Sequence, residues 1–510
     1  MLAKVKSFAL FGLKGYPVDV EIDINPGVPS FETVGLPSTA VKESRERVRS
    51  ALKNSGLDFP LKRITVNLAP ADTKKEGPIF DLAMAVGIMV ATGNIEKLDY
   101  RDYVMIGTLS LDGTVCKING VMPLLISAVQ AGYKRFIVPY ENAYEASYID
   151  GAEVYAVKNL SECVEFLNGD KLLSKVTASS YKEEGVAKNY GVDFCEVKGQ
   201  STAKRALEIA VAGGHNALMI GPPGTGKTML AKCVPTIMPP MSFDEALEVT
   251  KIHSVAGVLD SKTGIIQCRP FRTPHHTATT ISLTGGGANS HPGEISLAHN
   301  GVLFLDELPE YSRHTIETLR QPLEDGTITV SRANGTVEYP ANFMLIASMN
   351  PCPCGNYGSR IHECECTESQ IRKYRARISG PVMDRIDLHI DVDGVSFESL
   401  RDKSAQETSA TIKERVSKAR QIQYERFKGT GIYTNAQMSS AMINKYCALD
   451  KAGEAILERA YHRLNLSARA NSRILKVART IADLDGSEQI LEKHVSEAIR
   501  YRSLDRKYNA

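Results

Sequence analysis

Residues Gly221 to Thr228 read GPPGTGKT and fit the spacing G-x-x-x-x-G-K-[ST]. An apolar run, ALMI, precedes them, and a helix-forming run follows. In that context the backbone of Gly221, Pro222, Pro223, Gly224, Thr225 and Gly226 would wrap phosphate oxygens at a helix N-terminus. Lys227 would reach the β and γ phosphates, and the Thr228 hydroxyl would ligate magnesium. Downstream, Gly301 to Leu308 (GVLFLDEL) form an apolar strand ending in two carboxylates. Asp306 suits a water-mediated hold on magnesium, and Glu307 suits polarising an attacking water. A third strand, FMLIASMN, ends in Asn350, a residue able to orient that water. Phosphoryl transfer also needs positive charge on its transition state. Arg385 and Arg469 are candidates, with Arg473 one helical turn beyond the latter, although any one arginine alone reads more readily as a solvated surface charge.

The stretch MNPCPCGNYGSRIHECECT places Cys352, Cys354, Cys364 and Cys366 within fifteen residues, while the other six cysteines are scattered. In a reducing compartment such crowding favours metal binding or redox work over structural disulfides. One zinc held by four thiolates is the expected arrangement, with His362 as an alternative ligand. The spacing is tighter than the usual C-x₂₋₄-C, so free thiols or a redox switch form the competing reading. Next comes SQIRKYRARISG, with Arg372, Lys373, Arg375 and Arg377 around Tyr374. This local basic patch suits nucleic-acid phosphates. A solvated helix face or an intersubunit ion-pair set explains it equally well. Upstream, TITVSRANGTVEYPA reads as a hairpin with Asn334-Gly335 at its turn and Arg332 near its tip. His275 and His276 lie in a Gly- and Thr-rich insert before the GVLFLDEL strand, where surface or structural roles compete with substrate contact.

These residues need a scaffold that brings distant strands side by side. The 510 residues allow two to four domains. Strands and apolar-periodic helices mix over residues 1–168, and a polar, apolar-poor stretch over 169–190 reads as a linker. Short apolar strands alternate with helices over 191–395, which implies a parallel α/β core carrying the cysteine insert. Residues 396–510 have helical periodicity throughout and would form a lid. The fold class is α/β. Net charge is +2, so any nucleic-acid site must be local. The longest apolar run, Leu82 to Ala91, is too short to span a bilayer, and the first residues lack a signal-peptide core. A cytoplasmic protein without membrane contact is expected.

Together, RPFRTPHHT, GGGANSHPGEISLAHNGVLFLDELPE, ASMNPCPCG, ISGPVMDRIDLH and SARANSRILKVARTIADL, with the GPPGTGKT loop, resemble the Mg-chelatase-like AAA+ ATPases of the ComM/YifB family. The resemblance covers nearly the whole chain. It implies ATP and Mg2+ as cofactors and a homo-hexameric ring with ATP between subunits. Asn350 resembles sensor 1, Arg385 an arginine finger reaching the neighbour's ATP, and Arg469 sensor 2, with Arg473 as an alternative. Better-understood members are similar to ring helicases that drive branch migration of DNA during recombination. In related rings, the hairpin before sensor 1 points into the central pore. Residues 1–168 resemble the S5-like proteolytic domain of Lon, but Ile79 stands where Lon has its serine and Met122 where it has its lysine. A Ser-Lys protease needs both groups, so that activity is rejected. An ATP-driven motor on DNA is therefore expected. The rival is a Mg-chelatase-like ATPase that remodels a protein or cofactor without DNA. A zinc knot would keep Asn350 and the basic helix in register, so its loss should weaken DNA-dependent turnover more than ATP binding.

Overall fold

The computed structural model describes residues 2–182, 190–287, 290–332, 335–358, 362–394, 406–464 and 466–502. Polar–apolar alternation at the start of the chain builds a long ribbon. Strand β1 (Leu2–Phe11) pairs antiparallel with β2 (Lys14–Asn25), from Leu2↔Asp23 to Phe11↔Lys14. Five more strands complete this sheet: β3 (Ser30–Val34), β4 (Arg63–Ala69), β5 (Tyr103–Met105), β6 (Arg135–Pro139) and β7 (Glu153–Val157). Their order is β3-β4-β2-β1-β5-β6-β7. Helix α1 (Asp81–Thr92) lies against β1 and β2 with ten of its twelve residues buried. Its run LAMAVGIMV has no polar face, as a fully covered helix requires. Each buried Leu, Ile or Met there is worth roughly 1.5–3 kcal/mol. The one buried charge, Asp81, is met by Arg47 Nε at 2.7 Å. Helix α2 (Val121–Gln130) covers β2 further along and also faces the second unit.

The stretch that reads as a linker is not free where it is described. The Val176 N–H donates to the Val154 carbonyl at 2.8 Å, and the Tyr181 hydroxyl donates to Met241 O at 2.8 Å. Leu173, Val176 and Tyr181 pack partly buried against the neighbouring apolar clusters.

After helix α3 (Ser201–Gly213), the chain builds a second sheet. Strand β8 (Ala217–Ile220) leads into helices α4 (Lys227–Ile237) and α5 (Phe243–Val255). Then follow β9 (Phe271–Arg272), β10 (Val302–Leu305), a two-stranded ribbon of β11 (Thr327–Arg332) and β12 (Gly335–Pro340), β13 (Met344–Met349) and β14 (Leu388–Asp391). The sheet order is β9-β10-β13-β8-β14, all parallel. Every residue of β8, β10 and β13 is buried, which explains their unbroken apolar sequences. The chain leaves β8 to neighbours on opposite sides, and such a switch point opens a crevice at the carboxyl ends of the strands.

The β11/β12 ribbon departs from its expected register. Arg332 pairs with Gly335, so Gly335 belongs to β12 and not to the turn expected at Asn334-Gly335. A one-residue slip would turn every side chain of a strand to its other face, so burial of Val330, Val337 and Tyr339 fixes the register. Asn334 and the side chain of Arg332 lie outside the described residues. Helix α6 (Glu368–Arg375) carries the basic patch. Helices α7 (Ser409–Arg426) and α8 (Ala468–Leu484) pack on α3, and one apolar cluster runs unbroken from the sheet into them. Among the described residues no helix is long and apolar enough to cross a membrane.

Candidate nucleotide site

The loop after β8 begins at Gly221, where a Cβ would lie 2.1 Å from the Val392 carbonyl oxygen. Glycine alone permits that approach. Gly226 takes φ 87° and caps α4, which starts at Lys227. The Lys227 side chain is buried, and its Nζ donates to Gly221 O at 2.7 Å, Pro222 O at 2.8 Å and Asn350 Oδ1 at 3.3 Å. Burial pushes this ammonium below the ordinary lysine range, against the pull of Asp306 and Glu307. The Thr228 hydroxyl donates to Asp306 Oδ2 at 2.8 Å, and the Ser348 hydroxyl donates to Oδ1 of the same carboxylate. Ser348 Oγ also accepts the Glu307 N–H at 3.2 Å. Glu307 sits at φ 53°, a left-handed conformation that costs a non-glycine residue roughly 1–3 kcal/mol. Its half-exposed carboxylate approaches His276, Oε2 to Nδ1, at 3.9 Å. Thus Lys227, Thr228, Asp306, Glu307 and Asn350 converge at the carboxyl ends of β8, β10 and β13. An ammonium, a hydroxyl and two carboxylates so disposed can hold a polyphosphate and a divalent ion and activate water.

The cysteines follow directly. Cys352, Cys354, Cys364 and Cys366 have their sulfurs all within 4.8 Å of one another; His362 is not part of that group. The Cys352 sulfur lies 3.3 Å from that of Cys354 and 3.7 Å from that of Cys364. Disulfide bonding needs about 2.05 Å. A zinc tetrahedron with bonds of about 2.3 Å separates its sulfurs by roughly 3.8 Å, which the cluster matches. N–H groups aim at the sulfurs, Tyr357 N at Cys352 (3.3 Å) and Cys354 N at Cys366 (3.4 Å). The N–H of Asn356, with Cys352 beside it, draws the Cys354 thiol down to about 6. Despite the Cys366 N–H, desolvation and its sulfur neighbours push Cys364 up to about 12. Four thiolates this close repel one another unless a cation sits among them. The donor set therefore fits zinc. The knot also rests on the nucleotide loop, since a Cβ on Gly355 would lie 2.6 Å from Pro223 Cδ.

The four basic residues of the α6 region divide. Arg375 donates from Nε to Pro351 O at 3.4 Å and its guanidinium stacks 5.1 Å from the Tyr357 ring centre. Arg377 donates to Pro309 O at 3.2 Å and to Glu310 Oε2 at 3.0 Å. Arg372 and Lys373 are exposed.

The three candidate arginines lie elsewhere. Arg385, Arg469 and Arg473 line a groove of about 740 Å³ with Glu324, Asp384 and Asp387. Arg385 pairs with Glu324 and donates to Pro381 O at 2.7 Å, while its buried Nε has no partner among the described residues. Arg473 pairs with buried Asp387, which also meets His215 Nδ1 at 3.2 Å. Although burial opposes its charge, Arg473 and His215 hold the Asp387 carboxyl well below the ordinary carboxylate range. Arg469 is 68% exposed, with Asp384 at 3.9 Å. Asn216, just before β8, donates to Arg385 O at 3.0 Å. The groove is therefore at the amino end of the strands. From Asn216 to Gly221 the chain advances about 16 Å at roughly 3.3 Å per residue.

Comparison with known proteins matches this layout along the chain. Residues 193–400 match the model for magnesium chelatase, subunit ChlI; residues 20–142 match subunit ChlI of Mg-chelatase; residues 406–502 match the ChlI C-terminal model. The protein YifB of Salmonella typhimurium is 43% identical over 506 residues, 99% of this chain and 98% of its own. Competence protein ComM of Haemophilus influenzae is 44% identical over 510 residues, with the same coverage. The chain belongs to the ComM/YifB family of Mg-chelatase-like AAA+ ATPases. This ComM/YifB member also resembles Lon protease 2 of Bacillus subtilis, at 35% identity over 147 residues, 27% of this chain and 26% of that protein. At the two positions that matter for proteolysis its side chains are apolar. Ile79 packs partly buried between two clusters, and Met122 is fully buried.

Several functional neighbours escape sequence reasoning in this family member. Ser348 ties Asp306 and Glu307 together, and its signal is a polar residue inside an otherwise apolar strand, two positions before Asn350. His276 is legible as a histidine but not as a neighbour of Glu307. Glu324 reaches Arg385 and Asp387 reaches Arg473 across remote segments, and His215 in turn reaches Asp387, so none of them leaves a local pattern.

Proposed function

We propose that this protein is an ATP-driven ring motor acting on DNA, of the helicase or branch-migration type used in recombination or natural transformation. One observation carries the reading. The triphosphate-binding half and the arginine groove lie at opposite ends of one sheet, so a complete site requires a second copy. Arg385 and Arg469 would then act on the neighbour's ATP, and closed repetition of this head-to-tail contact gives a ring, a hexamer by family resemblance. Within each site, Lys227 would hold the β and γ phosphates, Thr228 and Asp306 magnesium, and Glu307 the attacking water, oriented by Asn350. Bound magnesium supplies charge neutralisation on the phosphates. The cysteine set would hold one structural zinc with no open position. Arg372 and Lys373, exposed beside it, are the best candidates for DNA phosphates, with Arg332 on the ribbon.

The name of the ComM relative concerns competence and supports the DNA reading. The magnesium chelatase models favour the rival, an ATPase that remodels a protein or cofactor. ATPase rates measured with single-stranded, duplex and branched DNA separate the two. Stimulation by DNA is expected. Indifference to every DNA form, with stimulation by a protein partner, would select the rival.

A further inference from the structure

The N-terminal unit touches the β11/β12 ribbon at a contact the nucleotide site does not use. Strands β1 and β2 meet at a two-residue turn, Gly12-Leu13, because Phe11 pairs with Lys14. Gly12 takes φ 62°, and a Cβ there would lie 2.4 Å from Val337 Cγ1. Reciprocally, a Cβ on Gly335 would lie 2.7 Å from Phe11 Cζ. Each strand pair thus presents a glycine to the other's side chain. Leu13 packs partly buried into the cluster that holds Val330, Val337 and Tyr339. Gly335, Val337 and Tyr339 alternate along β12 and share one face. An isolated two-stranded ribbon is marginally stable in water and needs something to cover that face. The core covers one end, where the Tyr339 hydroxyl donates to Ser290 O at 2.8 Å. The N-terminal turn covers the end nearer the tip.

The turn is not loosely placed. The N-terminal unit is fixed to α5 and the segment after it, where Gly120 N donates to Ser254 O at 3.1 Å and Lys117 Nζ donates to Leu259 O at 2.6 Å. The buried Glu145 carboxylate accepts from the Ser254 hydroxyl and, at 3.0 Å, from the Met122 N–H. From that anchorage the ten-pair β1/β2 ribbon extends to the β11/β12 contact.

We propose that the N-terminal domain positions the β11/β12 ribbon: Phe11, Gly12 and Leu13 key into Gly335 and Val337 and fix the direction in which the ribbon projects. The consequence for turnover rests on the DNA-motor reading. A ribbon that contacts substrate must be held if substrate is to influence the ATP site, so DNA-stimulated ATPase depends on the key and basal ATPase does not.

Full-length Leu13→Asp and the milder Phe11→Ala test this, with Leu61→Asp, at a 72% exposed position of the same domain, as control. Amide hydrogen exchange is followed over 335–340 and over β1 and β2, alongside ATPase with and without single-stranded and branched DNA. About tenfold faster exchange over 335–340 is expected, with β1 and β2 unchanged. Basal ATPase should stay, and the DNA-stimulated part should fall about fivefold. Unchanged exchange over 335–340 in both variants overturns the docking. A loosened ribbon with full DNA stimulation overturns its role in coupling. A wild-type ATPase indifferent to DNA removes the coupling together with the DNA reading, while the exchange data still decide the docking.

Discussion

Lys227 and Glu307 illustrate how differently two neighbouring residues can serve one site. Lys227 is buried and saturated by three acceptors, Gly221 O, Pro222 O and Asn350 Oδ1. A phosphate oxygen is a stronger, charged acceptor for the same donors. Lys227→Ala should therefore abolish tight ATP binding. Glu307, half-exposed and held in a strained backbone, contacts little within the chain. Glu307→Gln should leave nucleotide affinity within a fewfold and lower kcat by about 10²–10⁴, the usual contribution of a positioned base. Titration with a fluorescent ATP analogue and steady-state turnover measure both. Near-normal hydrolysis by the glutamine variant would mean another group serves as base. The sequence makes these roles legible because backbone wrapping of phosphate imposes glycines and a lysine at fixed spacing. It does not make Glu324 legible, because its ion pair with Arg385 joins positions 61 residues apart. Two-body contacts across a fold carry no local spacing.

At the scale of elements, the cysteine knot is the feature whose consequence changes most once its surroundings are known. Its sequence position suggests an effect on the basic helix and on DNA-dependent turnover. The packing of Gly355 on Pro223 joins it instead to the nucleotide loop as well. Arg375 and Arg377 add ties to the carbonyls of Pro351, next to Asn350, and of Pro309, two residues after Glu307. Two of four basic residues are thus braces, which charge counting alone cannot tell from phosphate contacts. One zinc per chain is expected by elemental analysis of protein purified without added metal. Cys354→Ser with Cys364→Ser, or chelation, should raise KM for ATP as well as lower kcat, up to about 10²-fold in kcat/KM if the loop shifts by roughly 1 Å. A metal-free preparation with four titratable thiols and unchanged KM would exclude a structural role for metal. The strands and helices themselves are legible from periodicity. The ribbon register is not, since it follows burial of Ile328, Val330, Val337 and Tyr339 rather than the Asn-Gly composition.

Across the whole molecule, what the sequence hides is direction. It gives a phosphate loop and three arginines, but not that they open at opposite ends of β8, β10, β13 and β14. About 16 Å of strand separates Asn216, at the arginine groove, from Gly221, where the phosphate loop begins, which favours service to a second copy under the proposed function. Arg385 is parked on Glu324 with one buried N–H that no described residue satisfies, a donor arrangement that an arriving phosphate would complete. An arginine supplied from a second molecule contributes roughly 10³–10⁵ in rate in related phosphoryl transfer. Arg385→Ala and Lys227→Ala proteins should each be nearly inactive alone. In a 1:1 mixture, about a quarter of head-to-tail contacts pair an intact loop, from the Arg385→Ala copy, with an intact arginine, from the Lys227→Ala copy. Mixing should therefore restore activity that neither variant has, and the restored rate should rise with the time allowed for subunit exchange. Mass measurement under the same conditions confirms that mixed assemblies form. Mixed assemblies of normal size with no regained turnover would place Arg385 outside the neighbour's reaction. The groove would then be an internal ion-pair network of Glu324, Asp387 and His215, with no nucleotide to meet.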